Sequence, residues 1–275
     1  MSYYDFDRPA AVGLPKDAFR PSPIFLTVLA FFALAGALLW TQLGNVRFNV
    51  FLFIVAGWVV SLCLHEYAHA LFAFRFGDHG VAIRGYLRLD PLKYANPLFS
   101  IVIPVIFMLL GGIALPGGAV LVDNAALRTR RRQAIVSLAG PAINAIFAFL
   151  LMIPFLAGAA NGILSAFTLD GFYAAHGAFW SALALLAFFQ LMAAILNLLP
   201  VPGLDGGNAI YPYLNNDWKR AYNTFRPYGI FVIFLLFYTV LGTWFRDLIN
   251  AIMGWFNVPD LLWNFGLALF QFWKN

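Results

Sequence analysis

Residues 48–76 read FNVFLFIVAGWVVSLCLHEYAHALFAFRF, and His65-Glu66-Tyr67-Ala68-His69 lies within them. A helix places residues four apart on one face, so His65 and His69 point the same way, one turn apart, with Glu66 beside them. Two imidazoles at that spacing can hold one zinc ion, and the neighbouring carboxylate can take a proton from a water that the metal activates. The helix around these groups is as apolar as a membrane span, where ionisable side chains are costly and by default functional. Histidines on an apolar helix also occur as hydrogen-bonded core residues. Two of them with a glutamate, unpaired in lipid, would cost too much for that reading.

Composition supports the membrane setting. The 275 residues are 62% hydrophobic and 11% charged, against about 45–50% and about 25% in soluble domains. The chain is expected to be an all-α polytopic membrane protein, with the lipid bilayer as its first partner. The net charge of +5 does not point to nucleic acid, because the basic residues sit in short loops between apolar stretches. With Cys63 as the single cysteine, no intrachain disulfide can form. Residues 1–23 are polar, contain Pro9, Pro15, Pro21 and Pro23, and read as a flexible cytoplasmic arm without a cleavable signal. Residues 24–275 read as one membrane-embedded domain with its core over about 48–207.

Working outward from the central stretch, a first span is expected over Ile24–Leu43, then Gln133–Leu156, Phe179–Leu199 and Tyr228–Phe245. Leu261–Trp273 is short of the ~20 residues a spanning helix needs. Val81–Leu89 alternates in its second half and reads as a strand or hairpin, with Ala119–Val122 as a second strand. Leu98–Leu115 is apolar but interrupted by Pro104 and Gly111-Gly112. If it crossed, the cluster Arg128, Arg130, Arg131, Arg132 would fall outside and the loop Ala157–Ala178, which has no lysine or arginine, would fall inside. That inverts the positive-inside rule. If it dips in and returns, every basic loop and the N-terminus are cytoplasmic. The expected architecture therefore has about five to six transmembrane helices, a re-entrant segment and a small membrane-associated β-hairpin or strand region. His65 would lie about 16 Å from the cytoplasmic end of its helix.

A catalytic zinc takes three protein ligands and an open position. Asp205 is the leading candidate for the third. It follows an apolar span at Pro200-Val201-Pro202, where proline ends the helix, and precedes Gly206-Gly207, which permit a sharp turn. Asp205 can equally be a helix cap, but beside the histidine pair the ligand reading is preferred. Asn144 and Asn197 are polar groups at membrane depth, suited to binding a substrate backbone or orienting a ligand, or to plain helix–helix hydrogen bonding. His79 could contact a substrate or an accessory metal, but in a polar loop the solvated reading is preferred; His176, in the outer loop, is given no role.

Two motifs, His65-Glu66-x-x-His69 and Asn197-x-x-Pro200-x-Pro202-x-x-Asp205-Gly206, resemble those of the site-2 protease family of intramembrane zinc metalloproteases. Ala139-Gly140-Pro141-x-x-Asn144 resembles that family's middle core helix, and Pro116-Gly117-Gly118-Ala119-Val120 its intervening strand region. The resemblance covers about Phe48–Gly207, with the motifs in the family's order. It implies one zinc per chain held by His65, His69 and Asp205, with Glu66 as base. It also implies cleavage of transmembrane helices of substrate proteins, in a multi-pass protein of a prokaryotic plasma membrane. An edge strand, with Ala119–Val122 as the candidate, would hold the unwound substrate peptide by strand addition, and Gly118, Ala119 and Val120 are the expected substrate contacts there. The chain has no room for the PDZ domain or the nucleotide-binding tail that some members carry. Two other classes compete. A silent helix-binding scaffold would not need Glu66, both histidines and Asp205 together. A metal or proton transporter predicts internal repeats and polar groups on several facing spans, which the sequence lacks. A membrane zinc protease with a late glutamate as third ligand is opposed by Asp217, Asp247 and Asp260, all aspartates near loops. Oligomeric state and substrate identity are not legible.

Overall fold

The structure is a computed structural model that describes residues 14–94, 105–106, 120–159, 176–229, 231–232 and 239–274. Helix α1 spans Pro23–Thr41, with Ser22 accepting the Phe25 N–H as N-cap. α2 spans Val46–Arg75, thirty residues or about 45 Å, and is capped by Asn45. α4 spans Arg130–Leu156 and is capped by Thr129. α5 spans Gly177–Leu198. These four are long and apolar enough to cross a membrane, so this is a helical integral membrane protein. Between them, α3 is the single turn Gly80–Ile83. After α5 come α6 (Asp205–Ile210), α7 (Asn216–Phe225), α8 (Val240–Trp255) and α9 (Asp260–Phe270).

α5 is the hub. Its apolar side chains are buried almost throughout, from Ala182 to Leu196, because α2, α4 and α9 all pack on it. α1 packs chiefly on α2 and leaves Leu26, Phe31 and Leu34 outward, as a lipid-facing helix does. Small residues set the close approaches, as they do between membrane helices. A Cβ on Gly57 would stand 2.7 Å from Phe32 of α1 and 2.8 Å from Leu186 of α5. A Cβ on Gly266 of α9 would stand 2.3 Å from the Ser181 carbonyl oxygen.

Ile24–Leu43, Phe48–Phe76, Gln133–Leu156 and Phe179–Leu199 are each found as one helix, with boundaries moved by at most three residues. The predicted span Tyr228–Phe245 lies partly outside the described residues, and its end, from Val240, falls in α8. Most of Leu98–Leu115 lies outside the described residues, as does Ala119. The strand at Val81–Leu89 is a correction, and among the described residues there are no strands. Asp78 accepts the Gly80 N–H at 3.0 Å and starts the turn α3. Gly85 (φ +78°) and Leu89 (φ +55°) then bracket a short 3-10 turn at Tyr86–Arg88. The turn buries Tyr86 and Leu87 together, which a strand with its side chains alternating between faces would not do. Val120–Val122 is irregular, and the Leu121 carbonyl is taken by Arg84 at 2.7 Å rather than by a neighbouring strand.

Candidate metal centre

His65, Glu66 and His69 lie two-thirds of the way along α2, all buried. α4 packs against this face and supplies an acceptor to each ring. The Nδ1 of His65 is 2.7 Å from Asn144 Oδ1, and the Nδ1 of His69 is 2.7 Å from the Val136 carbonyl. An oxygen with no hydrogen can only accept, so each Nδ1 carries the proton and each Nε2 presents a lone pair. The two Nε2 atoms face one another at 3.0 Å. Asp205 completes the group, with Oδ2 at 3.2 Å from His65 Nε2 and 3.4 Å from His69 Nε2. Three electron-rich atoms so close repel one another unless a cation sits among them. Zinc–nitrogen bonds of about 2.0–2.1 Å in a tetrahedron put ligand atoms about 3.3 Å apart, which matches the spacing. Among the described residues this is the one cluster of three or more His, Cys, Asp or Glu that can hold a metal ion.

Gly140 is what allows α4 to come so near. A Cβ there would lie 2.3 Å from His69 Nε2 and 2.5 Å from His65 Nε2. Asp205 arrives by a hook after α5. Gly203 turns with φ +98°, and Asp205 then becomes the first residue of α6, whose N-cap is Leu204 with no side-chain cap bond. Asp205 is therefore not a cap. Gly206 and Gly207 serve close approach: a Cβ on either would fall 2.2 Å from the Leu198 oxygen or 2.1 Å from the Val201 oxygen. Tyr222 of α7 pins the hook. Its hydroxyl accepts the Gly203 N–H at 3.3 Å and donates to Asn208 Oδ1 at 2.9 Å. Burial pushes its phenol above the ordinary value, so it stays protonated and can do both.

Glu66 is 2% exposed, with one carboxylate oxygen 4.0 Å from His65 Nε2. The Val120 backbone N–H lies within hydrogen-bonding reach of this carboxylate. Its Oε2 has no partner among the described residues. An orphaned carboxylate oxygen buried beside a donor cluster is suited to holding a water. Behind Asn144 stands Gln190 of α5, fully buried. Its Oε1 accepts from Asn144 Nδ2 at 3.3 Å and from the Ser61 hydroxyl.

The four motif residues thus meet at one point, with Asn144 directly behind His65 and Val120 beside Glu66. Asn197 is buried on α5 but stands outside the hydrogen-bonded set that carries His65. Gly118 and Ala119 lie outside the described residues. The sequence alone gives Gln190, Ser61 and Tyr222 no role, and it marks Gly140 only as part of Ala139-Gly140-Pro141. A lone glutamine inside an apolar span was the available signal for Gln190.

A bundle of membrane-spanning helices enclosing a two-histidine, one-aspartate metal cluster with an adjacent glutamate defines a membrane metalloendopeptidase. Residues 52–240 match Peptidase family M50, and the chain belongs to that family, the site-2 proteases. It is 43% identical over 264 residues to Rip2 of Mycolicibacterium smegmatis, covering 94% of this chain and 96% of that one. It is 42% identical to Rip2 of Mycobacterium tuberculosis H37Rv over the same shares. YwhC of Bacillus subtilis is 31% identical over 70% of this chain and 83% of its own. All three carry the words zinc metalloprotease in their names. No solved structure matches the chain. Zinc is the cofactor of this enzyme class, and the donor set fits it.

Proposed function

We propose that this enzyme hydrolyses peptide bonds within the transmembrane segments of substrate proteins, with His65, His69 and Asp205 holding the zinc and Glu66 as general base. The observation that carries the proposal is the orphaned Glu66 Oε2 beside three converging donors, inside a helix long enough to span a bilayer. His65 is ten residues from the end of α2 at Arg75, about 15 Å, so the reacting carbonyl must come into the bilayer. When bound, zinc supplies Lewis acidity that polarises a carbonyl and makes water nucleophilic near neutral pH. Glu66 Oε2 holds that water by its hydrogen, takes a proton as the new C–O bond forms, and returns it to the leaving nitrogen. Asn144 and Val136 fix the imidazole planes, so the site needs no reorganisation as charge develops. A helical substrate hides its amides in its own hydrogen bonds and must unwind to react. The segment 118–120, ending at the Val120 N–H beside Glu66, is the proposed guide for the extended peptide, and Asn197 a further polar contact for it.

The protease domain is residues 24–275, preceded by a cytoplasmic arm over 1–23, with five to six crossings in a prokaryotic plasma membrane. The test uses the purified chain and its Glu66→Gln form, each assayed for bound metal and offered a panel of transmembrane-helix substrates. One zinc per chain in both forms, with cleavage reduced by about 10²–10⁴-fold in the variant, is expected. Undiminished cleavage by Glu66→Gln would remove the glutamate from the chemistry. Absence of zinc from both would remove the ligand set.

A further inference from the structure

Where α2 stops and α4 begins there is a cavity of about 520 Å³. Arg75, His79, Arg128 and Arg132 line it, with Phe74 and Phe76 as an apolar wall and no carboxylate among the lining residues. The acidic residues of the two bounding loops are turned elsewhere. Asp78 is buried; its carboxylate accepts the Gly80 N–H at 3.0 Å and the Asp123 N–H at 2.8 Å, and pairs with Arg84 at 3.5 Å. Asp123 accepts the Ala125 N–H at 2.9 Å. Among the described residues none of the three lining arginines has an acidic partner.

The walls are held in place rather than being loose loop. Asp78 ties one loop to the other through the Asp123 N–H. A Cβ on Gly77 would stand only 3.3 Å from the Ala126 carbonyl oxygen. The Arg132 guanidinium is 5.4 Å from the centre of the Phe76 ring, a cation–π distance. Arg75 offsets the negative end of α2, while the positive end of α4 adds to the field. Both helices are candidate spans, so the cavity lies at the depth of lipid headgroups.

We propose that this cavity binds the phosphate-bearing headgroup of an anionic phospholipid. Guanidinium forks match phosphate oxygens two at a time, and the Phe74–Phe76 wall suits the glycerol and first acyl carbons. Free phosphate would satisfy the charge and leave that wall bare. Basic loops beside membranes are ordinary. What singles this one out is a concave, carboxylate-free site with clamped walls, so the test must separate the cavity from loop charge in general.

The full chain in an uncharged detergent is titrated with dioctanoyl phosphatidylglycerol and followed by native mass spectrometry. Dioctanoyl phosphatidylcholine and inorganic phosphate run in parallel. One saturable equivalent of the anionic lipid is expected. A basic residue near an anionic surface contributes about fivefold, so Arg128→Gln with Arg132→Gln should weaken binding about 25-fold. Arg130→Gln with Arg131→Gln removes the same charge from adjacent positions, outside the cavity, and should weaken it less than about threefold. Equal losses in the two pairs, or no saturable binding, would overturn the site. Equal binding of the phosphatidylcholine would overturn its charge basis, and displacement by equimolar inorganic phosphate the lipid assignment. Retained zinc content and elution volume check that each variant folds. If the double variant does not, Arg75→Gln, on the opposite wall, takes its place with an expected fivefold loss.

Discussion

Three amide and hydroxyl groups aim His65, and none of them touches the metal position. His65 Nδ1–H donates to Asn144, Asn144 Nδ2–H donates to Gln190 Oε1, and the Ser61 hydroxyl donates to the same oxygen. All lie within a nearly dry interior, where losing a hydrogen-bond partner is expensive, and Gln190 Nε2 has no partner among the described residues. Asn144→Ala should therefore lower zinc affinity by about 10–100-fold, read by competition with a chelator. Gln190→Leu acts only through Asn144, so its loss should be smaller, and the double variant should be no worse than Asn144→Ala alone. Unchanged affinity in Asn144→Ala would mean that His65 is oriented by something else. The sequence made His65, Glu66, His69 and Asp205 legible because each has a charge or lone pair that lipid does not forgive. Asn144 was legible as a polar residue at depth and through the resemblance of Ala139-Gly140-Pro141-x-x-Asn144 to the family's core helix. Gln190 was not read at all: a single amide among apolar residues leaves no periodic trace, and its value depends on which helix packs opposite.

Elements divide the same way. The spans could be read because twenty apolar residues in a row have one stable use in a bilayer, and Pro200-Val201-Pro202 marked where α5 had to stop. The strand at Val81–Leu89 misled because a short alternation does not distinguish a strand from a tight turn. Asp78, whose carboxylate decides the matter, sits three residues before the pattern. The hook that delivers Asp205 shows how backbone contact outweighs propensity. Gly206 lies so close to the end of α5 that a methyl group would meet the Leu198 carbonyl oxygen at 2.2 Å, and a backbone atom in a helix cannot step aside. Gly206→Ala should push α6 away from α2 and move Asp205 off the histidines. Zinc bound per chain should fall well below one at concentrations that saturate the unmodified enzyme, while helix content by circular dichroism stays the same. Full zinc occupancy in Gly206→Ala would show that the hook tolerates displacement and that Asp205 is not held by it.

For the molecule as a whole, the contacts decide which loops share an end. The segment before α1 is bound to the loop after α2 by the Ser22 N–H to the Arg88 carbonyl at 2.7 Å and by Asp17 to Arg88 at 2.8 Å. That loop is bound in turn to the start of α4 through Asp78 and Asp123. The chain therefore leaves α2 and enters α4 at one end of the bundle, and Arg84, Arg88, Lys93 and the arginines at 128–132 gather there. At the other end, His176 stacks on Trp40 with ring centres 4.0 Å apart, and Arg47 is the basic residue nearest that turn in sequence. Lysine and arginine bias orientation towards the cytoplasm, so the arginine end should face inward. α4 gives the sharpest test, since its 27 residues reach about 40 Å and both its ends carry exposed positions. With the buried Cys63 replaced by serine, a cysteine at Ala159 should react with a membrane-impermeant maleimide on intact cells. A cysteine at Arg131 should react only after permeabilisation. The reverse pattern would turn the molecule over and place the anion-binding cavity outside. Reaction of both positions on intact cells would mean that α4 does not cross, and the metal centre packed against it would then lose its place within the bilayer.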